Sequence, residues 1–71
     1  MVQSHVTANI RAEMARSGKT QGDIAAVLGI TRQAVSRRLV GLTPLDVDQL
    51  AKIAQLLDVS MSELLGEKAS A

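Results

Sequence analysis

The chain contains no cysteine and no aromatic residue, and only one proline and one histidine among its 71 residues. Without cysteine, neither a disulfide nor a thiolate metal site can stabilise the fold. Without Phe, Trp or Tyr there is no platform on which unpaired bases could stack, which argues against single-stranded nucleic acid as the main ligand. A core of aliphatic side chains and Met must therefore supply most of the stability.

Long hydrophobic runs are also missing. The longest, residues 24–28, is far shorter than the roughly 18 residues that a membrane helix needs. The N-terminal residues lack the apolar stretch of a signal peptide, so we expect a cytoplasmic protein with no membrane partner. A chain of this length supports one small domain with one modest core, expected to span residues 1–71.

The residue sets that catalysis and metal binding require are missing as well. His5 has no cysteine or second histidine to complete a nucleophilic or metal site, so we interpret it as a surface residue. Asp46 and Asp48 begin like a calcium loop, but Ala51 stands where such a loop needs glycine and Leu57 where it needs glutamate. The sequence therefore predicts no enzyme, no cofactor, no metal and no small-molecule ligand.

Charge is divided unevenly along the chain, although the net charge is only +1. Residues 1–40 contain six basic and two acidic residues, a net of +4, whereas residues 41–71 contain two basic and five acidic residues, a net of −3. A basic first half suggests an anionic partner. An accidental distribution of surface charges explains the division equally well, so charge alone does not decide the function.

The chain does contain clear sequence signals for where helices begin and end. The stretches DVDQ at 46–49 and SMSE at 60–63 fit the capping box, whose first and fourth residues bond each other's backbone amides. Thr20 and Thr31 are expected as N-cap residues of two further helices. Glycines follow apolar residues at three-and-four spacing, which is typical of helix ends. We predict an all-α fold with helices near 4–17, 20–28, 31–40, 46–57 and 60–65, and a tail at 67–71.

The third predicted helix is polar along one side. Its link to the second helix, residues 29–30, is short and contains Gly29, so helices 2 and 3 should form a helix-turn-helix. At about 100° per residue, four polar side chains share an arc opposite Val35. They are Arg32, Gln33, Ser36 and Arg37. In a DNA major groove, arginine can donate two hydrogen bonds to guanine and glutamine can pair with adenine. The alternative is an ordinary solvated face, which the tight turn and the basic half disfavour.

Residues 20–41, TQGDIAAVLGITRQAVSRRLVG, resemble the helix-turn-helix of the phage Cro/repressor family, also called the XRE family. Residues 50–65, LAKIAQLLDVSMSELL, resemble the fourth and fifth helices of that family. The resemblance implies a compact five-helix, lambda-repressor-like domain that binds a double-stranded DNA operator as a transcriptional repressor or regulator, like those of temperate phages. It implies base contacts by Arg32, Gln33 and Arg37, with Ser36 as a further candidate, and phosphate contacts by Gln21, Thr31 and Thr43.

Two positions depart from the pattern of that family. Leu39 stands where an acidic residue is common, and Met14 stands where its arginine partner would be, so we predict an apolar Met14–Leu39 contact. Arg38 falls on the packing side of helix 3, where an apolar residue is usual. Its guanidinium should either pair with Asp46 or Asp48, the interpretation we favour, or contact a DNA phosphate.

The rival function is a small helical module that binds another protein. It would use an apolar patch formed by Leu42, Leu45, Met61, Leu64 and Leu65. The two functions are compatible, because the resembled repressors often pair after the fourth helix, which implies a homodimer through the helix 5 region. Binding to random duplex DNA that weakens steeply with salt would favour the DNA-binding function.

Overall fold

The computed structural model describes residues 2–66, with side chains from residue 5 onward. Within that part the chain forms five α-helices and no strand, which confirms the predicted all-α class. They are α1 (Val2–Ser17), α2 (Gln21–Leu28), α3 (Arg32–Leu39), α4 (Val47–Leu57) and α5 (Met61–Leu65). The last four each begin one residue after the predicted start, because the predicted ranges included the N-cap residue. The predicted tail at 67–71 lies outside the described residues.

Three of these helices begin with a capping box. In α4, the Gln49 backbone amide donates to Asp46 Oδ1 at 2.7 Å, and the Asp46 backbone amide donates to Gln49 Oε1 at 3.3 Å. The same reciprocal pair forms between Thr20 and Asp23 at α2 and between Ser60 and Glu63 at α5. Each pair gives partners to amides that the first helical turn leaves without an intrahelical acceptor, which fixes where the helix begins.

The core is aliphatic, as the composition requires. Ile10, Ile24, Ile53 and Leu64 come from four different helices and have no exposed surface. Val35 and Leu39 attach α3 to them, with 1% and 2% of their surface exposed. The helix α4 packs against α1, α2 and α5, so it connects most of the fold.

The turn between α2 and α3 is short and is built around Gly29. Gly29 ends α2 in the left-handed conformation, with φ 70° and ψ 33°. Its amide and that of Ile30 both donate to Ala25 O, at 2.9 and 3.1 Å. Thr31 then caps α3 by accepting from the Ala34 amide at 3.1 Å. A non-glycine residue would adopt this φ only with strain, so the glycine allows α3 to start after only three intervening residues.

An arginine of α1 bonds the last turn of α3. Arg11 Nη1 donates to the backbone oxygen of Leu39, one of the carbonyls that a helix end leaves without an amide partner. Met14, one turn further along α1, is half-buried and packs on the apolar cluster that contains Leu39. Met14 and Leu39 therefore lie in one apolar region, while direct contact between their side chains stays a prediction.

Candidate nucleic-acid interface

The third helix is divided into a buried and an open side. Val35 and Leu39 enter the core, and Ala34 is half-buried beside them. The other side carries the four polar residues predicted from the helical periodicity, which we call the polar face of α3. Its members are Arg32, Gln33 and Arg37, which are exposed, and Ser36, which is half-buried.

Two members of the polar face have free hydrogen-bonding groups. The side chains of Gln33 and Arg37 form no hydrogen bond or ion pair with any other residue in the described range 2–66. The guanidinium of Arg37 thus keeps five N–H donors for an external partner, and the amide of Gln33 keeps two donors and an acceptor. In a major groove, arginine donors suit O6 and N7 of guanine, and a glutamine amide suits N6 and N7 of adenine.

Arg32 occupies a defined position beside the start of α2. Its Nε and Nη2 atoms each lie 3.0 Å from the point where a Cβ on Gly22 would be, and its Cζ lies 3.3 Å from that point. The guanidinium therefore rests on the bare backbone of α2. Sequence reasoning missed this contact, because two residues ten positions apart give no local signal of it.

Asp23 adds a negative charge to the same region. The Thr20 backbone amide, which donates to Asp23 Oδ2 at 2.9 Å, is the main cause that holds the pKa of this carboxyl below its usual value. The Thr20 hydroxyl adds to the lowering of the pKa, and the charges of Lys19 and Arg32 add smaller contributions. Asp23 therefore serves the helix cap first and is a neighbouring charge for Arg32 second.

The predicted phosphate-contacting residues stand at the two ends of α3. Gln21 is exposed and precedes Gly22, so it lies near the N-terminal end of α3 together with the exposed Thr31. Thr31 Oγ1 already accepts a hydrogen bond from the Ala34 backbone amide, but its hydroxyl proton can still be donated. Thr43 is half-buried at the other end, where its amide donates to Arg37 O at 3.3 Å. The three polar groups thus flank the polar face along the helix axis.

The predicted ion pair of Arg38 with Asp46 or Asp48 is wrong. Arg38 is half-buried, its Nη1 donates to Ala34 O at 2.8 Å, and its Nε donates to Gln49 Oε1 at 3.4 Å. Gln49 closes the capping box of α4, so Arg38 links the side of α3 to the start of α4. Asp46 accepts the Gln49 backbone amide through Oδ1 as the N-cap of α4, and its carboxylate forms no ion pair with Arg38 in the described residues. A phosphate contact by Arg38 stays a prediction.

The apolar patch on which the rival function depends is not a surface. Leu64 is fully buried and Leu45 is 6% exposed, while Met61 and Leu65 are partly buried against the core. Leu42 alone among the five is exposed, at 74%. The three-and-four spacing of Met61, Leu64 and Leu65 marks the core side of α5, which a sequence cannot distinguish from an interface. The specific support for a protein-binding module is therefore lost.

Residues 2–66 contain no group of three His, Cys, Asp or Glu side chains placed to hold a metal ion, and no pocket. No helix in this range is both long and apolar enough to cross a membrane.

Comparison with models of protein families gives a match to the model described as Helix-turn-helix over residues 10–64. The match runs from the middle of α1 into α5 and includes α2, the turn at Gly29 and α3. No curated protein and no solved structure matches the chain.

Proposed function

Because the chain belongs to the helix-turn-helix family, in its Cro/repressor or XRE branch, we propose that it is a sequence-specific repressor of the temperate-phage kind. Its five helices within residues 2–66 have the lambda-repressor-like arrangement. DNA binding and regulation of transcription are the general functions of the family. The proposal adds repression, the resemblance to phage immunity repressors or Cro, and the residues that read the operator.

The observation that carries the proposal is the exposed polar face of α3. In a helix-turn-helix, the N-terminal residues of the recognition helix, which is α3 in this chain, reach base edges in the major groove. Arg32 and Gln33 are the first two residues of α3, and both are exposed. We assign guanine recognition to Arg32 and Arg37, adenine recognition to Gln33, and a supporting base contact to Ser36.

Phosphate contacts orient such a domain on the duplex without reading its sequence. We assign them to Gln21, Thr31 and Thr43, because these groups flank the polar face at its two ends. Gln21 also stands at the N-terminus of α2, where the aligned peptide dipoles favour an anion. Repression would follow from occupancy, since a domain that covers an operator excludes other proteins from it and needs no chemistry.

The proposal predicts salt-dependent and sequence-selective binding. Where two or three basic side chains of residues 1–40 neutralise phosphates, binding weakens about 10- to 40-fold when salt rises fourfold. Selection from a pool of random duplexes, followed by titration of the enriched site at two salt concentrations, measures both properties. Salt-independent binding, or a pool without enrichment, would contradict the proposal. The homodimer through the α5 region stays a prediction, for which two half-sites about 34–36 Å apart in the enriched sequence would be the sign.

Arg37 and Arg38 form a matched pair for a second prediction. They are adjacent arginines of α3, but Arg37 is free and exposed whereas Arg38 is half-buried and bonded to Ala34 and Gln49. Random duplex DNA offers no fixed guanine, so we expect the free Arg37 guanidinium to pair with phosphates there. Arg37→Met should therefore reduce the slope of log affinity against log salt by about 0.9, whereas Arg38→Met should leave it unchanged.

Fluorescence anisotropy of a labelled random duplex at four salt concentrations measures both slopes. Thermal unfolding serves as the control, because Arg38→Met also removes a link between α3 and α4. A reduced slope in a fully folded Arg38→Met variant would instead establish Arg38 as a phosphate contact and overturn the structural assignment.

A further inference from the structure

We propose that Gly22 is a specificity-determining positioning residue, because its missing side chain gives the Arg32 guanidinium a fixed place on the backbone of α2. This inference rests on the proposed base-reading role of Arg32. Gly22 belongs to α2, the other helix of the motif. It is not among the residues to which base or phosphate contacts are assigned.

The backbone gives no reason for glycine at position 22. Gly22 is the second residue of α2 and is not among the glycines with a positive φ, so any L-residue could adopt its conformation. Glycine is also among the least favourable residues within a helix. What the structure does show at this position is close packing by another side chain, with Arg32 Nε and Nη2 each 3.0 Å from the point a Cβ would occupy. A side chain at position 22 and the present position of Arg32 exclude each other.

The consequence concerns where Arg32 presents its donors. Arginine has a long side chain with many rotamers, and the entropy lost on ordering it reduces the net gain from any contact. Contact with the backbone at Gly22 restricts those rotamers before DNA arrives. The guanidinium is then held at the N-terminal end of the polar face, where the first base contact of a recognition helix is made.

Gly22→Ala tests the inference with little risk to the fold. The added Cβ meets only the far end of a flexible side chain, and alanine favours the helix, so the thermal stability should stay equal or rise. A bidentate arginine–guanine pair supplies roughly 5- to 150-fold discrimination at its base pair. We expect Gly22→Ala to lose about 3- to 10-fold of the discrimination at the base pair read by Arg32, because the displaced guanidinium is less well ordered. Affinity for random duplex DNA should not change.

A double-mutant cycle with Arg32→Ala provides the control. Discrimination is measured against every single-base variant of the enriched site for wild type, both single variants and the double variant. The inference is supported if Gly22→Ala and Arg32→Ala act at the same base pair and Gly22→Ala has no further effect once Arg32 is removed. It is overturned if Gly22→Ala discriminates like wild type, or if its effect persists without Arg32.

Failure of the proposed function is distinguishable from failure of this inference. A wild-type protein without sequence preference would remove the proposed function, whereas a selective wild type with an unaltered Gly22→Ala variant would remove only the role of Gly22. The contact itself can be followed without DNA by the proton–nitrogen NMR resonance of Arg32 Nε. This resonance should shift in Gly22→Ala, and an unchanged resonance would contradict the contact.

Discussion

Replacing Ile53 with alanine is expected to lower the free energy of unfolding by about 2–5 kcal/mol. Ile53 has no exposed surface and lies in the middle of α4, the helix that packs against α1, α2 and α5. A domain of this size rarely has more than about 3–5 kcal/mol of stability in total. We therefore expect a large unfolded fraction at room temperature, with loss of DNA binding as a secondary effect. Urea unfolding followed by far-UV circular dichroism measures the change.

Two further variants separate core packing from general sensitivity to substitution. Ile53→Val removes one methylene and should cost about 0.5–1.5 kcal/mol, which leaves a folded protein whose DNA affinity is unchanged. Val47→Ala, in the same helix at a side chain that is 73% exposed, should change stability by no more than about 0.5 kcal/mol. Equal effects of Ile53→Ala and Val47→Ala would contradict the central position of Ile53 in the core.

The composition explains why so much depends on a few aliphatic residues. A chain without cysteine or aromatic residues has no disulfide and no large ring that could compensate for a lost contact. Ile10, Ile24, Ile53 and Leu64 meet in one cluster that also contains Val35, one of the two residues that attach α3. The orientation of the polar face is therefore coupled to the same core that keeps the domain folded.

Local signals allowed most of the fold to be predicted. A capping box acts within four residues, so the sequence alone determines where α2, α4 and α5 begin. The sequence signal for the end of α4 is weaker, because no glycine follows that helix. Asp58 takes the left-handed C-cap conformation there, with φ 59°. Aspartate tolerates that conformation better than most residues, but its preference is too weak to serve as a signal.

Contacts between distant residues could not be predicted in the same way. The periodicity of α3 predicted the polar face. It did not predict the hydrogen bond from Arg38 to Gln49 in α4 or the packing of Arg32 against Gly22. Both depend on how helices approach each other, and long arginine side chains can reach several partners from one backbone position. The prediction that the apolar residues of α5 form an exposed patch was wrong for a related reason, because the same spacing describes a core face and an interface.

Replacing Gln33 with alanine is expected to cost about 1–3 kcal/mol of binding free energy at an operator that presents adenine to it, and to relax selectivity at that one base pair. The side chain of Gln33 is exposed and makes no hydrogen bond with any described residue, so the folded state should not be affected. Competition among single-base variants of the enriched operator measures the discrimination lost.

Gln55 provides the matched control, because it is also a glutamine exposed on a helix but belongs to α4. Gln55→Ala should bind every operator variant as the wild type does. Since Gln33 is uncharged, its removal should also leave the salt dependence unaltered, in contrast to the removal of Arg37. A Gln33→Ala variant with unchanged discrimination at every base pair would remove Gln33 from the reading surface. Equal losses at all base pairs would indicate instead that it holds the protein on the duplex without reading a base.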